Sequence, residues 1–135
     1  MPQTFKAVVI DDVALCRQLL TDILEDRGYQ VKSYASIKEF TCPAGADERC
    51  PMEHACVDIF LTDNQMPETT GLEAIADMLG KGCKLRATSR AVFSGSWSHQ
   101  EKQKAQHLGC KTFDKPFELD SFESWLQERE ASLSG

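Results

Sequence analysis

The chain has 135 residues, of which 41% are hydrophobic and 27% are charged. This composition is typical of a folded protein, because disordered chains combine low hydrophobicity with high charge, and the length fits one domain over residues 1–135. Fifteen basic residues against 21 acidic ones give a net charge of −6, which argues against a protein that binds nucleic acid directly through its phosphates.

The first predicted strand covers residues 5–10. Its apolar run is too short for a signal peptide or a membrane span, so we expect a cytoplasmic protein that does not enter a membrane. Apolar residues at helical spacing over 13–24, followed by Gly28, predict a helix with a glycine stop. Residues 30–34 are typical of a second strand, and residues 36–40 of a short helix.

An irregular segment, residues 41–55, contains two prolines and a glycine and is predicted as a long loop. The remaining sequence alternates between the two periodicities that mark strands and helices. It predicts strands at 57–62, 91–94 and 111–114, and helices at 72–79, 99–108 and 119–126.

Five strands alternating with five helices predict an α/β fold with a parallel sheet and helices on both faces. If the strand order is 2-1-3-4-5, ligands bind beyond the ends of strands 1 and 3, where the order reverses. Those ends carry Asp11, Asp12 and Asp63. Carboxylates about 4 Å apart repel by ~4 kcal/mol at an effective dielectric of 20, so a cation is needed. Oxygen ligands favour a hard ion, and Mg²⁺ fits because it accepts carboxylates and shares phosphate oxygens.

Four short motifs occur at the predicted strand ends: Asp11-Asp12, residues 63–71 with their Asp, Met-Pro and Gly, Ser94-Gly95, and Lys115-Pro116-Phe117. With these motifs in this order, the chain resembles the receiver domains of two-component response regulators from residue 5 to residue 126. The resemblance implies a doubly wound, flavodoxin-like receiver fold, with one five-stranded parallel sheet in the order 2-1-3-4-5.

The resemblance also implies a Mg²⁺ site and assigns its ligands. Asp12 binds the ion directly, Asp11 binds it through water, and Asp63 and the backbone carbonyl of Gln65 complete the protein ligands. Asp63 is in addition the implied phosphate acceptor. A carboxylate is already ionised at neutral pH, so it can attack a phosphoryl donor without a general base.

Two further residues are implied to act on the phosphoryl group. The Lys115 ammonium neutralises, together with Mg²⁺, the oxygens that carry charge in the transition state. The Ser94 hydroxyl donates to a phosphoryl oxygen and draws the loop after strand 4 inward, which turns local chemistry into a change of shape. Members of the family often have the peptide bond before Pro116 in cis. At Thr112 the chain departs from the family, which usually has an aromatic residue there.

Each of these residues also has a plain structural interpretation. Asp12 can be a helix N-cap, Asp63 can open an Asx turn, Lys115 can be a solvated surface lysine, and Ser94 can be a hydroxyl that merely ends a strand. Singly, these alternatives are strong. Jointly they require four coincidences at four strand ends.

Six cysteines and no export signal predict free thiols. Five of the six precede strands 3, 4 or 5 and would meet at the sheet edge opposite the acids, where four thiolates suit structural Zn²⁺ or an iron–sulfur cluster. The absence of a CxxC pair argues against such a site, and free cysteine is an ordinary buried residue. The candidate ligands of this second metal site are Cys50, Cys56, Cys83 and Cys110.

The sequence thus predicts a receiver domain that takes a phosphoryl group on Asp63 from a histidine kinase or histidine phosphotransfer protein. It signals to an unknown downstream protein target through altered contacts, and it catalyses only its own phosphorylation and dephosphorylation. One alternative is a cysteine-rich, metal-stabilised or redox-sensing interaction module on a receiver scaffold. Another is that the chain is part of a larger regulator.

Overall fold

The computed structural model describes residues 4–37, 39, 57–66 and 69–134. Strands and helices alternate along this part of the chain, and a 3₁₀ turn at Ala87–Ser89 precedes the fourth strand. The strands are β1 Lys6–Ile10, β2 Gln30–Tyr34, β3 Ile59–Asp63, β4 Arg90–Ser94 and β5 Lys111–Asp114. The helices are α1 Ala14–Asp26, α2 Gly71–Gly80, α3 His99–Leu108 and α4 Leu119–Ser134.

The five strands form one parallel sheet in the order β2-β1-β3-β4-β5, which confirms the predicted architecture. Every residue of β3 and of β4 is buried, as expected for inner strands covered by helices on both faces. In the register of the sheet Ile10 pairs with Thr62, and Asp63 pairs with Phe93. The carboxyl ends of β1, β3 and β4 therefore lie side by side at one edge of the sheet.

Two hydrophobic cores flank the sheet because successive strand residues point to opposite faces. Helices α1 and α4 cover one face and helices α2 and α3 cover the other. The α1/α4 core contains Val9, Leu20, Leu24, Leu61, Phe93, Phe113, Phe122, Trp125 and Leu126. The α2/α3 core contains Val8, Ile10, Phe60, Leu72, Ile75, Val92 and Ala105.

The short helix predicted over 36–40 is wrong for the residues of it that the structure describes. The Glu39 amide donates to the Ser36 carbonyl at 3.2 Å and lies 3.3 Å from the Ser36 hydroxyl, which makes a single turn. A serine hydroxyl that bonds to nearby backbone favours turns over helix interiors. Residues 38 and 40, and the loop predicted over 41–55, lie outside the described residues.

The other predicted elements are present with small differences in their bounds. The third strand begins at Ile59 and the fourth at Arg90, and α4 extends to Ser134. Of the helices in the described ranges, none has both the length and the apolar character needed to cross a bilayer.

Candidate functional site

The acidic residues predicted from the strand ends do meet at one place. Asp11 follows β1 and Asp63 ends β3, and these strands are neighbours in the sheet. The side chains of Asp11, Asp12 and Asp63 offer carboxylate oxygens that all lie within 4.8 Å of one another. Asp11 and Asp63 are buried, whereas Asp12 is exposed, so the cluster is a partly buried acidic site that opens to solvent at Asp12.

Lys115 reaches this cluster from the end of β5. Its Nζ lies 2.8 Å from Asp11 Oδ2 and 3.1 Å from Asp63 Oδ1. Its backbone amide donates to the Ser94 carbonyl at 2.9 Å, and the Lys115–Pro116 peptide bond is cis, as the resemblance implied. The interpretation of Lys115 as a solvated surface lysine is therefore wrong, since its side chain is largely buried against two carboxylates.

Burial and charge act in opposite directions on the ionisation of this group. Burial raises the pKa of Asp63 to about 6, against the lowering effect of Lys115, and the negative charges of Asp11 and Asp12 add to the rise. Burial lowers the pKa of Lys115, but hydrogen bonding and attraction to Asp11 and Asp63 outweigh it, so its pKa lies above the usual value. The lysine stays protonated, and Asp63 experiences an excess of negative charge.

The cluster has the properties of a site for a divalent cation. Three carboxylates against one ammonium leave a net charge of −2 when all are ionised. Asp63 Oδ1 is buried and lies 3.1 Å from Lys115 Nζ. Oxygen-only donors with uncompensated charge suit a hard ion such as Mg²⁺.

The alternative role of Asp12 as a helix cap is wrong. The residue at the N-cap of α1 is Val13, and no side chain caps this helix. It is Asp11 whose Oδ1 accepts the Val13 amide at 2.9 Å, while its other oxygen holds Lys115. Asp11 is thus fixed from two directions, and Asp12 has no capping role that would explain its position.

Ser94 ends β4 and is completely buried beside the acidic cluster. Its hydroxyl donates to the Ser96 carbonyl at 3.0 Å and accepts the Ser96 amide at 3.2 Å. In this arrangement the hydroxyl bonds to the backbone of the loop that follows β4. This agrees with the interpretation of Ser94 as a hydroxyl that merely ends a strand. To serve a bound phosphoryl group it would have to leave the Ser96 carbonyl.

Gln65 follows the cluster on the chain and is exposed. It forms an isolated bridge with Thr70, and its side-chain amide lies 3.5 Å from the Ser96 hydroxyl. The predicted role of its backbone carbonyl as a Mg²⁺ ligand stays a prediction. Residues 67 and 68 of the Met-Pro motif lie outside the described part of the chain.

Asn64 is a site residue that the sequence analysis missed. It is fully buried directly after Asp63, and its side chain donates to Glu101 Oε2 at 2.6 Å and accepts the Leu72 amide at 3.2 Å. It therefore ties the end of β3 to the first turns of both α2 and α3. No spacing or motif signals this contact, because its partners come from two separate segments of the chain.

Gly71 begins α2 immediately against the end of β3. A Cβ added there would lie 2.7 Å from the Asp63 carbonyl oxygen and 2.9 Å from Thr62 Cγ2. The sequence analysis placed this glycine only within a motif. The structure gives it a steric reason, since any side chain would push against the backbone of Asp63.

Two of the four candidate cysteine ligands, Cys83 and Cys110, lie in the described part of the chain and precede β4 and β5. Cys83 and Cys110 are half-buried free thiols against the α2/α3 core, and burial raises the pKa of Cys110. A thiol kept protonated is a weak nucleophile and a weak metal ligand. The other two candidate ligands, Cys50 and Cys56, lie outside the described residues, so the second metal site stays a prediction.

Comparison with known proteins places the fold and this acidic edge in one family. Residues 7–127 match the response regulator receiver domain, and the chain belongs to that family. Receiver domains are signalling domains of two-component systems and typically bind Mg²⁺ at an acidic pocket. Comparison with curated protein sequences gives no match.

Solved structures share the fold along nearly the whole chain. The chemotaxis protein CheY4 of Vibrio cholerae is 24% identical, with a TM-score of 0.73 over 93% of this chain and 98% of that chain. A two-component response regulator from Clostridium difficile is 15% identical, with a TM-score of 0.75 over 98% of this chain and 100% of that chain. A receiver protein from Pseudomonas putida is 21% identical, with a TM-score of 0.71 over 95% and 99%. At these identities the likeness supports the fold alone.

Proposed function

We propose that Asp63 accepts a phosphoryl group and that Asp11, Asp12, Asp63 and the Gln65 carbonyl hold Mg²⁺ while it does so. The observation that carries this proposal is the convergence of three carboxylates and the Lys115 ammonium at the carboxyl edge of the sheet. A merely structural salt bridge needs one acid for each lysine. The surplus of acid over base supports the proposal that a cation binds at this site.

The chemistry follows from the charges of these side chains. A carboxylate oxygen of Asp63 forms the bond to phosphorus while the bond from phosphorus to the donor breaks, and the electron pair leaves with the donor. With a pKa of about 6, Asp63 is mostly ionised at neutral pH and needs no base. The difficulty is the approach of one anion to another. Lys115 already lies within 3.1 Å of Asp63 Oδ1, so its charge is in place before the phosphoryl group arrives. Bound Mg²⁺ supplies further neutralisation of the phosphoryl oxygens.

The phosphoryl donor is, on this proposal, a histidine kinase or histidine phosphotransfer protein. Large apolar side chains are exposed near the site at Leu15 and Leu19 of α1 and at Leu119, where α4 begins. Helices α1 and α4 lie on the same face, and Arg27 NH2 after α1 bonds to Glu130 Oε1 of α4 at 2.6 Å. Exposed apolar side chains on two helices that cover the same face of the sheet suit a helical partner. We propose that the donor docks there.

The test is direct phosphorylation with Mg²⁺ and a small acyl phosphate, followed by the intact mass. The native chain should gain one phosphate, and Asp63→Asn should gain none. Chelation of the Mg²⁺ should stop the reaction. In Lys115→Ala the rate should fall by about 10²-fold or more, because a preorganised charge at the transition state is lost. If Asp63→Asn gains the same mass, a residue other than Asp63 accepts the phosphate.

Residues 1–135 are proposed to act as one receiver domain in the cytoplasm, catalysing its own phosphorylation and dephosphorylation and passing the signal to a downstream protein. The length of the genomic reading frame decides whether it is part of a larger regulator. The cysteine-based alternative gains no support, because the one described thiol with a shifted pKa, Cys110, is shifted toward the protonated form. Metal analysis of protein purified without chelator tests the cysteines separately.

A further inference from the structure

The side chain of Trp97 connects the loop after β4 to strand β5. Its indole N–H donates to the carbonyl oxygen of Phe113 at 3.1 Å, and its half-buried ring packs against the α2/α3 core. Strand β5 is an edge strand of the sheet. The indole therefore fixes the loop to the last strand through a directed bond as well as through packing.

The same loop is closed at its other end by Ser94. One hydroxyl proton serves the Ser96 carbonyl, and one hydroxyl lone pair serves the Ser96 amide. A serine hydroxyl has a single proton to donate, so Ser94 cannot donate to a phosphoryl oxygen and to Ser96 at once. If the hydroxyl turns its proton toward the acceptor site, the Ser96 carbonyl loses its bond to Ser94. Trp97 is the next residue on the chain.

Phe113 is held to β4 independently of the indole. Its ring stacks on Phe93 at 4.9 Å between centroids, and the two residues are register partners in the sheet. The residue whose carbonyl accepts the indole is thus held in β5 by contacts that do not involve Trp97. When the loop moves, the bond between Trp97 and Phe113 must stretch or break, because its acceptor does not follow.

We propose that Trp97 is a positioning residue that holds the loop after β4 in the unphosphorylated arrangement, and that phosphorylation of Asp63 releases its indole from Phe113 through Ser94. This inference rests on the proposed function. Thr112, where an aromatic residue is usual in the family, has no ring that could link this loop to β5. In this chain the ring that makes the link comes from the loop itself.

Release of the indole changes a surface that a partner can contact. Trp97 immediately precedes Ser98, the N-cap of α3, whose hydroxyl accepts the Glu101 amide. Movement of Trp97 therefore reaches the first turn of α3 through the backbone. The exposed face between α3 and β5 then differs between the two phosphorylation states.

The experiment follows the indole N–H signals of Trp97 and Trp125 by NMR in protein labelled with ¹⁵N-tryptophan. Trp97→Phe identifies the Trp97 signal, and it keeps an aromatic ring in the core so that the variant folds. Exchange of each indole proton with solvent is measured before and after treatment with Mg²⁺ and a small acyl phosphate. Intact mass is recorded on the same samples.

The Trp97 indole should be protected in the untreated protein and should exchange at least about fivefold faster once the phosphate is gained, which corresponds to the loss of a bond worth about 1 kcal/mol. The Trp125 indole should not change. Asp63→Asn should show neither the mass nor the release. Ser94→Ala lacks both bonds to Ser96, so its Trp97 indole should exchange faster than the native one already in the untreated protein.

The outcomes separate the two proposals. A phosphorylated chain whose Trp97 indole stays protected overturns this inference and leaves the proposed function standing. A Trp97 indole that is as protected in untreated Ser94→Ala as in the untreated native chain overturns the route through Ser94. Rapid exchange of the Trp97 indole proton in the untreated protein would show that its bond to the Phe113 carbonyl is absent, and it would overturn this inference. A native chain that gains no phosphate overturns the proposed function, and this inference with it.

Discussion

Replacement of Gly71 by alanine should destabilise the protein and displace Asp63. The added Cβ would meet the Asp63 carbonyl oxygen at 2.7 Å and the Asn64 Cα at 3.3 Å, and both are backbone atoms that cannot rotate away. Gly71 does not have a positive φ, so the cost comes from space and not from backbone conformation. Overpacking typically costs about 1–3 kcal/mol, whereas the gain in helix propensity from glycine to alanine is at most about 1 kcal/mol. The expected net loss is about 1–2 kcal/mol.

Gly80 provides a matched control in the same helix. It ends α2, and an added Cβ would meet nothing within 4 Å, so Gly80→Ala should be neutral or slightly stabilising. Urea unfolding measures both variants. With a slope of about 1–3 kcal/mol per molar urea, the Gly71→Ala midpoint should fall by roughly 1 M. Its phosphorylation should also slow under conditions in which it is folded, because the Asp63 backbone has shifted. If Gly71→Ala has the same midpoint of urea unfolding as Gly80→Ala and gains phosphate at the native rate, the steric argument fails.

Three further predictions concern residues around the site. Glu130 accepts bonds from Arg27 and Tyr29, and although burial opposes it, these bonds hold its pKa below the usual value. Glu130→Gln should therefore lower the free energy of unfolding by about 1–2 kcal/mol at neutral pH. This difference is present above the pKa near 4.5 that Glu130 has in the unfolded chain, and it disappears as the pH falls through the lower pKa of the folded protein. A loss of stability that does not depend on pH would contradict this reasoning. Arg90 is fully buried, with bonds to the Leu85 carbonyl and Met78 sulfur and no ion-pair partner among the described residues. Arg90→Met should have the same midpoint of urea unfolding as the native protein, or a higher one. Arg90→Ala leaves a cavity and should lose about 2–4 kcal/mol of unfolding free energy. Equal losses in the two variants would show that the charge itself is needed. Leu15 is 83% exposed, so Leu15→Asp should leave stability and phosphorylation by acyl phosphate unchanged but slow transfer from a phosphorylated histidine phosphotransfer protein by about tenfold or more. Unchanged transfer would place the docking surface elsewhere.

The sheet and the acidic cluster could be predicted because both depend on local patterns. Continuous apolar runs identify β3 and β4 as inner strands, and a parallel sheet brings their carboxyl ends together whatever the intervening segments contain. Asp11 and Asp63 therefore meet as a consequence of strand order. The motif containing Lys115 placed the ammonium on the same edge.

The contacts made across the molecule could not be predicted in this way. Asn64 bonds to Glu101 and Trp97 bonds to Phe113 because of side-chain directions that no periodicity encodes. The burial of Arg90 was also unforeseen, since arginine is seldom fully buried. The helix predicted over 36–40, which is wrong for its described residues, shows the limit of local propensity when a single serine hydroxyl offers the backbone a competing bond.

Helix α3 is joined to the rest of the protein by little apolar surface, and this has a consequence for any target that recognises the activated form. Ala105 is the only residue of α3 that is fully buried, Leu108 packs partly buried against the α2/α3 core, and Asn64 bonds to Glu101 in the first turn. Apolar burial contributes only about 0.8 kcal/mol for each buried CH₂ group, so little apolar burial opposes a tilt of this helix. A partner that binds the tilted form tenfold more tightly supplies about 1.4 kcal/mol, enough to select it. The affinity of the target then helps to set what fraction of the phosphorylated protein adopts the tilted form.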